Sequence, residues 1–468
     1  MLFNRKDIFK IVLPLFVEQL LAVTIGMLDS IMVASAGEAA VSGVSLVDAI
    51  NLLLSYIFSA LATGGSVVCS QFLGQNEEGL ARKSAKQLLY SIFFTALVLT
   101  ALSLAFRLPI LRFTFGKIEA DVMSNAQIYF LFTAMSYPFL ALYNGGAALF
   151  RSMGNSKISM TASLIMNLLN FFGNALLIFG FGLGAAGAAI STLFSRIVGS
   201  VIMLVLLNNR CNVIYIEKLF RFRPDFRIIG RILGIGIPSG LENGMFQIGK
   251  LMTQSLISTL GTAAIAANAV AGMMSSFEYA VGGAVGITMI TVVGRCIGAG
   301  ERGQAKYYAK YLLGIEYVVM LFVASLLMLL SKPIIAAYNL SPEAGRIAFV
   351  LIILHSILSM LIWPIAFTLP NTFRAASDVR FTMVVSIISM WIFRIGGSYL
   401  FVLGGNLGVL GVWLAMFVDW FIRCGLFAWR FVGERWLTKY KPLEIKKESD
   451  GKNIERLLNY LKKSDIIK

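Results

Sequence analysis

Residues 8–34 read IFKIVLPLFVEQLLAVTIGMLDSIMVA, an apolar run with Pro14 and Glu18 near its start and Asp29 near its far end. The run exceeds the roughly 20 residues that a helix needs to cross a bilayer. An ionisable side chain at membrane depth costs roughly 2.5–3.5 kcal/mol on insertion scales, so it is a functional hypothesis by default. The stretch predicts a membrane-spanning first helix, and Asp29 is its first candidate site residue.

The composition predicts that the whole chain lies in a membrane. Of its 468 residues, 58% are hydrophobic and only 14% are charged, and the mean hydropathy is +0.80. Ordinary soluble domains are about 45–50% apolar and about 25% charged. Because the apolar runs are too long and too uniform for barrel strands, we predict an all-α integral membrane protein with twelve transmembrane helices. The runs cover about 8–34, 46–70, 88–108, 121–149, 158–180, 184–208, 230–258, 267–293, 308–330, 343–369, 381–402 and 408–431.

The excess of basic residues is explained by orientation in the membrane. A net charge of +16 would suggest nucleic acid as the partner of a soluble chain. Here Lys and Arg gather in alternate loops, as the positive-inside rule describes, and the richest loop lies between runs 6 and 7. We therefore expect no nucleic-acid partner, a location in the inner or plasma membrane, and both termini in the cytoplasm.

The chain contains an internal repeat with an offset of 224 residues. At this offset PLFVE (14–18) falls on PSGLE (238–242), and QFLGQNE (71–77) falls on RCIGAGE (295–301). Six helices separate the copies, an even number, so the copies are parallel repeats related by an axis along the membrane normal. The predicted organisation is an N-terminal lobe at 1–208, a cytoplasmic linker at 209–228, a C-terminal lobe at 229–432 and a charged cytoplasmic tail at 433–468. Within the tail, residues 454–467 suit either a helix on the inner leaflet or a solvated segment.

Four polar residues of the first lobe come to a similar depth. Asp29 lies about five residues from the outer end of the first helix, roughly 8 Å at about 1.5 Å per residue. Asn170 and Asn174 on the fifth run and Thr192 on the sixth match this depth. Such oxygen ligands suit a hard cation such as Na⁺, and a desolvated carboxylate suits a proton. We predict a coupling-ion or proton site here, with interhelical hydrogen bonding as the alternative role of the amides and the hydroxyl.

The second lobe has its own candidates for a cavity lining and substrate contacts. They are Glu242, Gln247, Lys250, Glu278 and His355. Lys250 and Glu278 come to a comparable depth, so we expect them to pair and cancel. His355 has no second histidine with which to bind a metal, and a structural role is favoured over proton relay.

Arginines also lie deep within apolar runs of both lobes. Asp419 and Arg423 stand one helical turn apart and should neutralise each other. Arg196 and Arg394 have no partner that the sequence can assign.

A phosphate-loop pattern at 244–250 is excluded. GMFQIGK matches G-x-x-x-x-G-K, but Leu251 replaces the Ser or Thr that should follow, and no strand precedes it. We expect no nucleotide and no other cofactor. The four cysteines have no metal or redox spacing and should be free thiols.

Together these features resemble the multidrug and toxic compound extrusion (MATE) transporters over roughly residues 8–432. The motifs that carry the resemblance are P-x14-D from Pro14 to Asp29, QFLGQNEEGLARK (71–83), RSMGNSK (151–157), NFFGNALLIFGFGLGAAGAAIST (170–192), IPSGLENGMFQIGK (237–250) and GTAAIAANAV (261–270). The resemblance implies two six-helix lobes around a central cavity that opens to either side in turn. It also implies export of organic cations or drugs against an inflow of H⁺ or Na⁺.

The resemblance also assigns residues. The family's acid on the first helix matches Asp29, and its polar set in the first lobe matches Asn170 and Thr192. The chain departs at Asn174, where many members carry a second acid, so the choice between H⁺ and Na⁺ stays open. Another branch carries an acid near Gln247, and here Glu242 lies about a turn earlier.

We therefore expect a monomeric secondary antiporter that exports organic cations by alternating access. Glu242 or Glu278 would counter the charge of the substrate. The alternative is a flippase for lipid-linked saccharides, whose anionic groups would meet Arg196, Arg394 or Lys250. We do not expect an enzyme, because the sequence has no nucleophile constellation.

Overall fold

This computed structural model describes residues 1–116, 119–217, 221 and 223–442. The segment at 454–467 and most of the predicted tail lie outside these residues. The described residues form twelve long helices and no strand, which confirms the predicted all-α fold. The helices are helix 1 (Arg5–Ala34), helix 2 (Glu38–Gly74), helix 3 (Glu78–Ala105), helix 4 (Ala120–Met135 and Tyr137–Ser152), helix 5 (Ser156–Gly180), helix 6 (Gly184–Leu207), helix 7 (Phe226–Ser258), helix 8 (Thr262–Gly298), helix 9 (Arg302–Ala337), helix 10 (Pro342–Ala375), helix 11 (Val379–Gly404) and helix 12 (Gly408–Val432).

Ten of the twelve are long and apolar enough to cross a membrane by length and composition. The other two are helix 4, which is divided at Ser136, and helix 7, which carries Glu242 and Lys250. Helices 1–6 form the N-lobe and helices 7–12 form the C-lobe.

Both lobes turn into their second helix in the same way. Gly37 precedes helix 2 with a φ of 104°, and Gly261 precedes helix 8 with a φ of 94°. A side chain is strained at such angles, so glycine is required at both turns. The two glycines are 224 residues apart, and the repeat read from the sequence is therefore also a repeat of backbone conformation.

The backbones of the two lobes touch where helix 2 meets helix 8. A Cβ atom on Gly74 would lie 2.0 Å from the carbonyl oxygen of Arg295, and one on Gly298 would lie 1.9 Å from that of Gln71. Each contact is the copy of the other at the 224-residue offset, as a two-fold interface requires. Small residues at this crossing let the two backbones touch.

This crossing lies at one face of the bundle, where the Lys- and Arg-rich loops gather, which we call the basic face. Here Gln71 donates to the carbonyl of Ala375 at 2.8 Å, and Arg295 donates to the carbonyl of Ser152 at 2.8 Å. The interlobe hydrogen bonds of the described residues all lie near this face.

Toward the opposite face the lobes separate. A gap of about 500 Å³ lies between helix 1 and helix 8, bounded by residues such as Met27 and Ile31 on one side and Met273 and Ser276 on the other. The molecule is thus closed at the basic face and parted at the opposite face.

Candidate functional site

The N-lobe contains a polar cavity of about 340 Å³ in the half of the bundle nearer the opposite face. All four residues of the predicted site line it. They are Asp29 on helix 1, Asn170 and Asn174 on helix 5, and Thr192 on helix 6. The prediction that these four residues lie at a similar depth is therefore confirmed. In helices that are nearly parallel, residues at the same distance from the helix ends lie at the same depth.

Asp29 accepts a hydrogen bond on each carboxylate oxygen. Asn174 donates from Nδ2 to Asp29 Oδ1 at 3.1 Å. The side-chain amide of Asn170 can be oriented so that both its nitrogen and its oxygen form hydrogen bonds. In that orientation the nitrogen donates to Asp29 Oδ2 at 2.8 Å, and the oxygen lies 3.2 Å from the hydroxyl of Thr192. A continuous series of hydrogen bonds thus links helix 1 through helix 5 to helix 6.

Helix 5 changes from α-helical to π-helical geometry directly beside Asp29, Asn170 and Asn174. Residues Ala175–Gly180 form a π-helical turn that begins immediately after Asn174. Single π-helical turns often occur at functional sites because they re-aim neighbouring side chains.

A second acid, Asp48, lies in the same cavity and was missed from the sequence. It accepts from the hydroxyl of Tyr129 at 3.0 Å and from Asn51 at 3.2 Å. The sequence placed the start of helix 2 near residue 46, so Asp48 appeared to be a boundary residue. Helix 2 in fact begins at Glu38, and the periodic apolar residues Val44 and Val47 could have signalled this.

Arg196 lines the same cavity and has a hydroxyl partner. Its guanidinium donates to the hydroxyl of Ser136 at 2.7 Å, at the break in helix 4. The cavity therefore holds two acids and one base.

A second cavity of about 410 Å³ lies mainly in the C-lobe, with Tyr56 and Thr63 of helix 2 completing its wall. We call it the C-lobe cavity. Helix 7 presents one stripe of residues to it: Ser239, Glu242, Asn243, Phe246, Gln247 and Lys250. Three of the predicted candidates, Glu242, Gln247 and Lys250, therefore line this cavity.

Glu242 is not free to counter the charge of a substrate. It is buried, forms an ion pair with Arg374 at 2.7 Å and accepts from Ser386 at 2.7 Å. Its counterpart Glu18 binds Arg151 in the same way. After a one-residue slip in the repeat, RSMGNSK (151–157) meets RAASDVR (374–380), so Arg374 matches Arg151 and this is a duplicated scaffold pair.

The predicted pairing of Lys250 with Glu278 is wrong. Glu278 is fully buried and contacts Nδ1 of His355 at 2.9 Å, and it accepts from Ser356 at 2.7 Å. The position of a residue along its helix predicts its depth in the membrane but not the direction of its side chain. The carboxylate of Glu278 points toward helix 10 rather than helix 7. Lys250 forms no ion pair among the described residues.

His355 does not line the C-lobe cavity. Its Nε2 lies 3.1 Å from the hydroxyl of Tyr279, a residue of the cavity wall, so His355 and Glu278 stand behind that wall. The rings of Trp413 and Trp420 pack edge-on to the imidazole.

The predicted pair of Asp419 and Arg423 is confirmed at 2.8 Å. Arg423 also donates to the carbonyl of Ser386 at 2.9 Å. Arg394 lies on helix 11 and faces the C-lobe cavity.

Glu316 on helix 9 is a further buried acid that the sequence reading missed. It is fully buried and accepts from Thr368 at 2.7 Å, and its other oxygen has no partner among the described residues. No cation pairs with it in the described part of the chain. Its position in the middle of an apolar run was the available signal.

Comparison with known proteins places this arrangement in a family. The family model described as MatE matches the chain twice, at residues 14–176 and 238–400. The chain belongs to the MatE family. The two matches begin and end 224 residues apart, at the offset of the internal repeat.

The relatives of this MatE chain are transporters. It is 28% identical to the uncharacterized transporter YisQ of Bacillus subtilis, over 92% of this chain and 95% of that protein. It is 25% identical to a probable multidrug resistance protein, NorM, of Thermotoga maritima, over 94% of this chain and 96% of that protein. These comparisons support multidrug efflux and do not favour the alternative function, a flippase for lipid-linked saccharides.

Solved structures share the fold. An outward-facing multidrug resistance MATE family transporter of the MOP superfamily superposes with a TM-score of 0.86 and 20% identity, covering 93% of this chain and 97% of that one. The family match and the transporter relatives make the chain a multi-pass membrane transporter.

Proposed function

We propose that this MatE chain is a secondary antiporter of the plasma membrane that exports organic compounds in exchange for protons, with Asp29 as the coupling group. The observation that carries the proposal is the position of Asp29. Its carboxylate is held by Asn170 and Asn174 in a cavity of the half-bundle where the lobes are parted. A carboxylate at membrane depth that binds only neutral amides is suited to gain and lose a proton.

Protonation would change the contacts between helix 1 and helix 5. The ionised carboxylate accepts one hydrogen bond on each oxygen, whereas the protonated carboxyl presents one O–H donor and weakens one of those bonds. Each protonation state thus favours a different arrangement of helix 1, and Pro14 within that helix provides a bend point.

The donor set favours a proton over Na⁺ as the coupling ion. A Na⁺ ion at Asp29 would need several oxygen ligands, whereas Asn174 directs its amide nitrogen at the carboxylate. The guanidinium of Arg196 in the same cavity also opposes a second cation.

The proposed orientation places the basic face and both termini in the cytoplasm. The described arrangement is then closed to the cytoplasm and open to the outside. Transport would reverse the two, with the lobes rocking about the Gly74 and Gly298 crossing.

Organic cations are proposed as substrates, as the sequence predicts, but with a different acid. Glu242 and Glu278 are committed to Arg374 and His355. An amine on the substrate would instead meet Asp29 or Asp48 and compete with the proton there. Such competition is the simplest form of exchange. A monomer suffices for this scheme, because both lobes belong to one chain.

The test is dye transport into inside-out vesicles. With an acidic lumen, the wild-type protein should accumulate a cationic aromatic dye such as ethidium, and a Na⁺ gradient alone should not drive uptake. Asp29→Asn should reduce uptake to that of empty vesicles because the side chain can no longer titrate.

Asp121→Asn is the matched control, since Asp121 is an exposed acid at the start of helix 4. It should transport like the wild type. Normal ΔpH-driven uptake by Asp29→Asn would remove Asp29 from the mechanism, and uptake driven by Na⁺ alone would reassign the coupling ion.

A further inference from the structure

The C-lobe cavity carries more positive charge than its own acids neutralise. Two of its four basic side chains are paired: Arg374 with Glu242 at 2.7 Å, and Arg423 with Asp419 at 2.8 Å. The other two are Lys250 and Arg394, and the described residues supply neither with an ion pair. Each of these two therefore brings a positive charge to the cavity.

These two cations flank one aromatic side chain. Lys250 follows Phe246 by one turn on the cavity face of helix 7, and the guanidinium of Arg394 lies 5.4 Å from the ring centre of Phe246. Arg394 belongs to the π-helical segment Ser389–Gly396 of helix 11. The field of Asp419 reaches Arg394, but that carboxylate is already bound to Arg423.

The wall beside them is a stack of aromatic rings. Tyr279 stacks on Trp363 with ring centres 4.4 Å apart, and Trp363 stacks on Phe367 at 3.9 Å. Phe246 meets the edge of Phe367 at 6.2 Å. A flat ligand can extend such a stack.

Two unpaired cations inside a membrane protein are costly unless something compensates their charge. An anion can do so, and a guanidinium binds a carboxylate or phosphate with two parallel hydrogen bonds. Since Glu242 and Asp419 are already paired, an anion that binds Lys250 and Arg394 would come from outside the chain.

We propose that the C-lobe cavity is the binding subsite for the anionic group of an aromatic substrate, held by Lys250 and Arg394 with its ring against the Trp363 and Phe367 stack. This inference rests on the proposed export function and adds a further substrate class to the organic cations proposed there: aromatic compounds that carry an anionic group. A zwitterion would direct its amine to the acids of the N-lobe cavity. An anionic lipid headgroup offers the same chemistry, and the experiment separates the two sources.

The experiment measures binding of two dyes to the purified full-length chain in phosphatidylcholine vesicles. Carboxyfluorescein is the aromatic anion and ethidium is the aromatic cation. The variants Lys250→Gln and Arg394→Gln should each weaken carboxyfluorescein binding about tenfold or more, as expected for loss of a charge-assisted contact. Ethidium binding should be unchanged or tighter.

Two controls keep the result interpretable. Lys332→Gln removes an exposed cation of the same lobe outside the cavity and should bind both dyes like the wild type. Lys250→Arg keeps the charge and should retain most of the carboxyfluorescein affinity. Arg394→Lys keeps the charge but not the two parallel hydrogen bonds, and should fall between the wild type and Arg394→Gln. Both variants test the site even if a glutamine variant folds poorly.

Unchanged carboxyfluorescein affinity in both glutamine variants, or no saturable binding by the wild type, would overturn the proposal. In a second series, phosphatidylglycerol is added to the vesicles. Competition by this lipid, together with no ΔpH-driven transport of carboxyfluorescein, would reassign the site to a lipid headgroup and overturn the substrate class.

The two proposals can fail separately. Asp29→Asn should bind carboxyfluorescein normally but not transport it. Wild-type protein that binds the anion yet transports no dye under a pH gradient would refute antiport alone. Ethidium transport without anion binding would refute only the anionic subsite.

Discussion

The N-lobe and C-lobe cavities differ in charge and in their position within the lobes. The N-lobe cavity is lined by Asp29, Asp48 and one arginine, whereas the C-lobe cavity has two cations without an ion-pair partner. At the 224-residue offset, Thr253 stands where the N-lobe has Asp29, and Lys250 stands where it has Gly26.

The scaffold around the cavities did not diverge in this way. Each lobe retains a buried glutamate bound to the matching arginine, Glu18 to Arg151 and Glu242 to Arg374. The buried ion pair is thus retained in both lobes, whereas Asp29 and Gly26 of the N-lobe cavity are replaced by Thr253 and Lys250. This difference in charge supports the proposals that the coupling ion binds in the N-lobe cavity and an anionic group in the C-lobe cavity.

The largest expected effect on stability comes from breaking the duplicated ion pairs. Glu18→Gln and Glu242→Gln each leave a guanidinium without its buried partner, which costs about 3–5 kcal/mol. Both variants should therefore lower the apparent melting temperature in detergent strongly and by a similar amount. The double variant Glu242→Gln with Arg374→Gln should recover part of the loss.

Glu316→Gln is the matched control for this prediction. Glu316 is as buried as the paired acids but has no cationic partner among the described residues, and glutamine can keep the bond from Thr368. It should cost less than about 1 kcal/mol. A loss as large as that of Glu242→Gln would show that burial, rather than pairing, sets the cost.

A smaller effect is expected at the crossing of the lobes. Gly74→Ala and Gly298→Ala place a methyl group against a backbone carbonyl, and overpacking of this kind costs about 1–3 kcal/mol. Thermal unfolding should show similar losses for the two variants. Gly314→Ala in helix 9 meets open space and should be neutral or slightly stabilising. Melting temperatures unchanged in both crossing variants would contradict the two-fold contact.

The smallest effect is expected where the first helix of each lobe begins. Neutral Asn4 caps helix 1, whereas Asp225 caps helix 7 and lies 2.5 Å from Lys83. The hydrogen bond from Lys83 lowers the pKa of Asp225 below its usual value, and the backbone N–H of Ile228 adds to this.

Asp225→Asn keeps the cap but loses the ion pair, so it should cost less than about 1 kcal/mol at neutral pH. A lowered pKa stabilises the fold above the unfolded value of about 3.9, and this contribution is lost as the pH falls through the folded pKa. The melting temperatures of variant and wild type should therefore converge at acidic pH. A difference that persists there would exclude the ion pair as its cause.

Most of the fold could be predicted because apolar length, basic loops and a fixed repeat are all properties of the linear sequence. The errors lie at helix ends. Helix 2 was predicted to start near residue 46 and helix 8 near residue 267, but they begin at Glu38 and Thr262. Small and polar residues fill these first turns, so hydropathy does not register them.

The sequence predicted which candidate site residues share a depth in the membrane, but not which side chains contact each other. Asp29, Asn170, Asn174 and Thr192 are brought together as expected, and their role in coupling stays a prediction. The partner of Glu278 was missed because sequence spacing gives its height but not the helix that its side chain faces.

The most direct test of Asp29 as the coupling group is a distance between the lobes measured against pH. Spin labels at Ser35 and Ser258, in a chain freed of its native cysteines, would report the separation at the opposite face. In wild-type protein this distance should shift between mildly alkaline and mildly acidic pH, and in Asp29→Asn it should stay at one value throughout. A variant whose distance still titrates like that of the wild type would contradict the account.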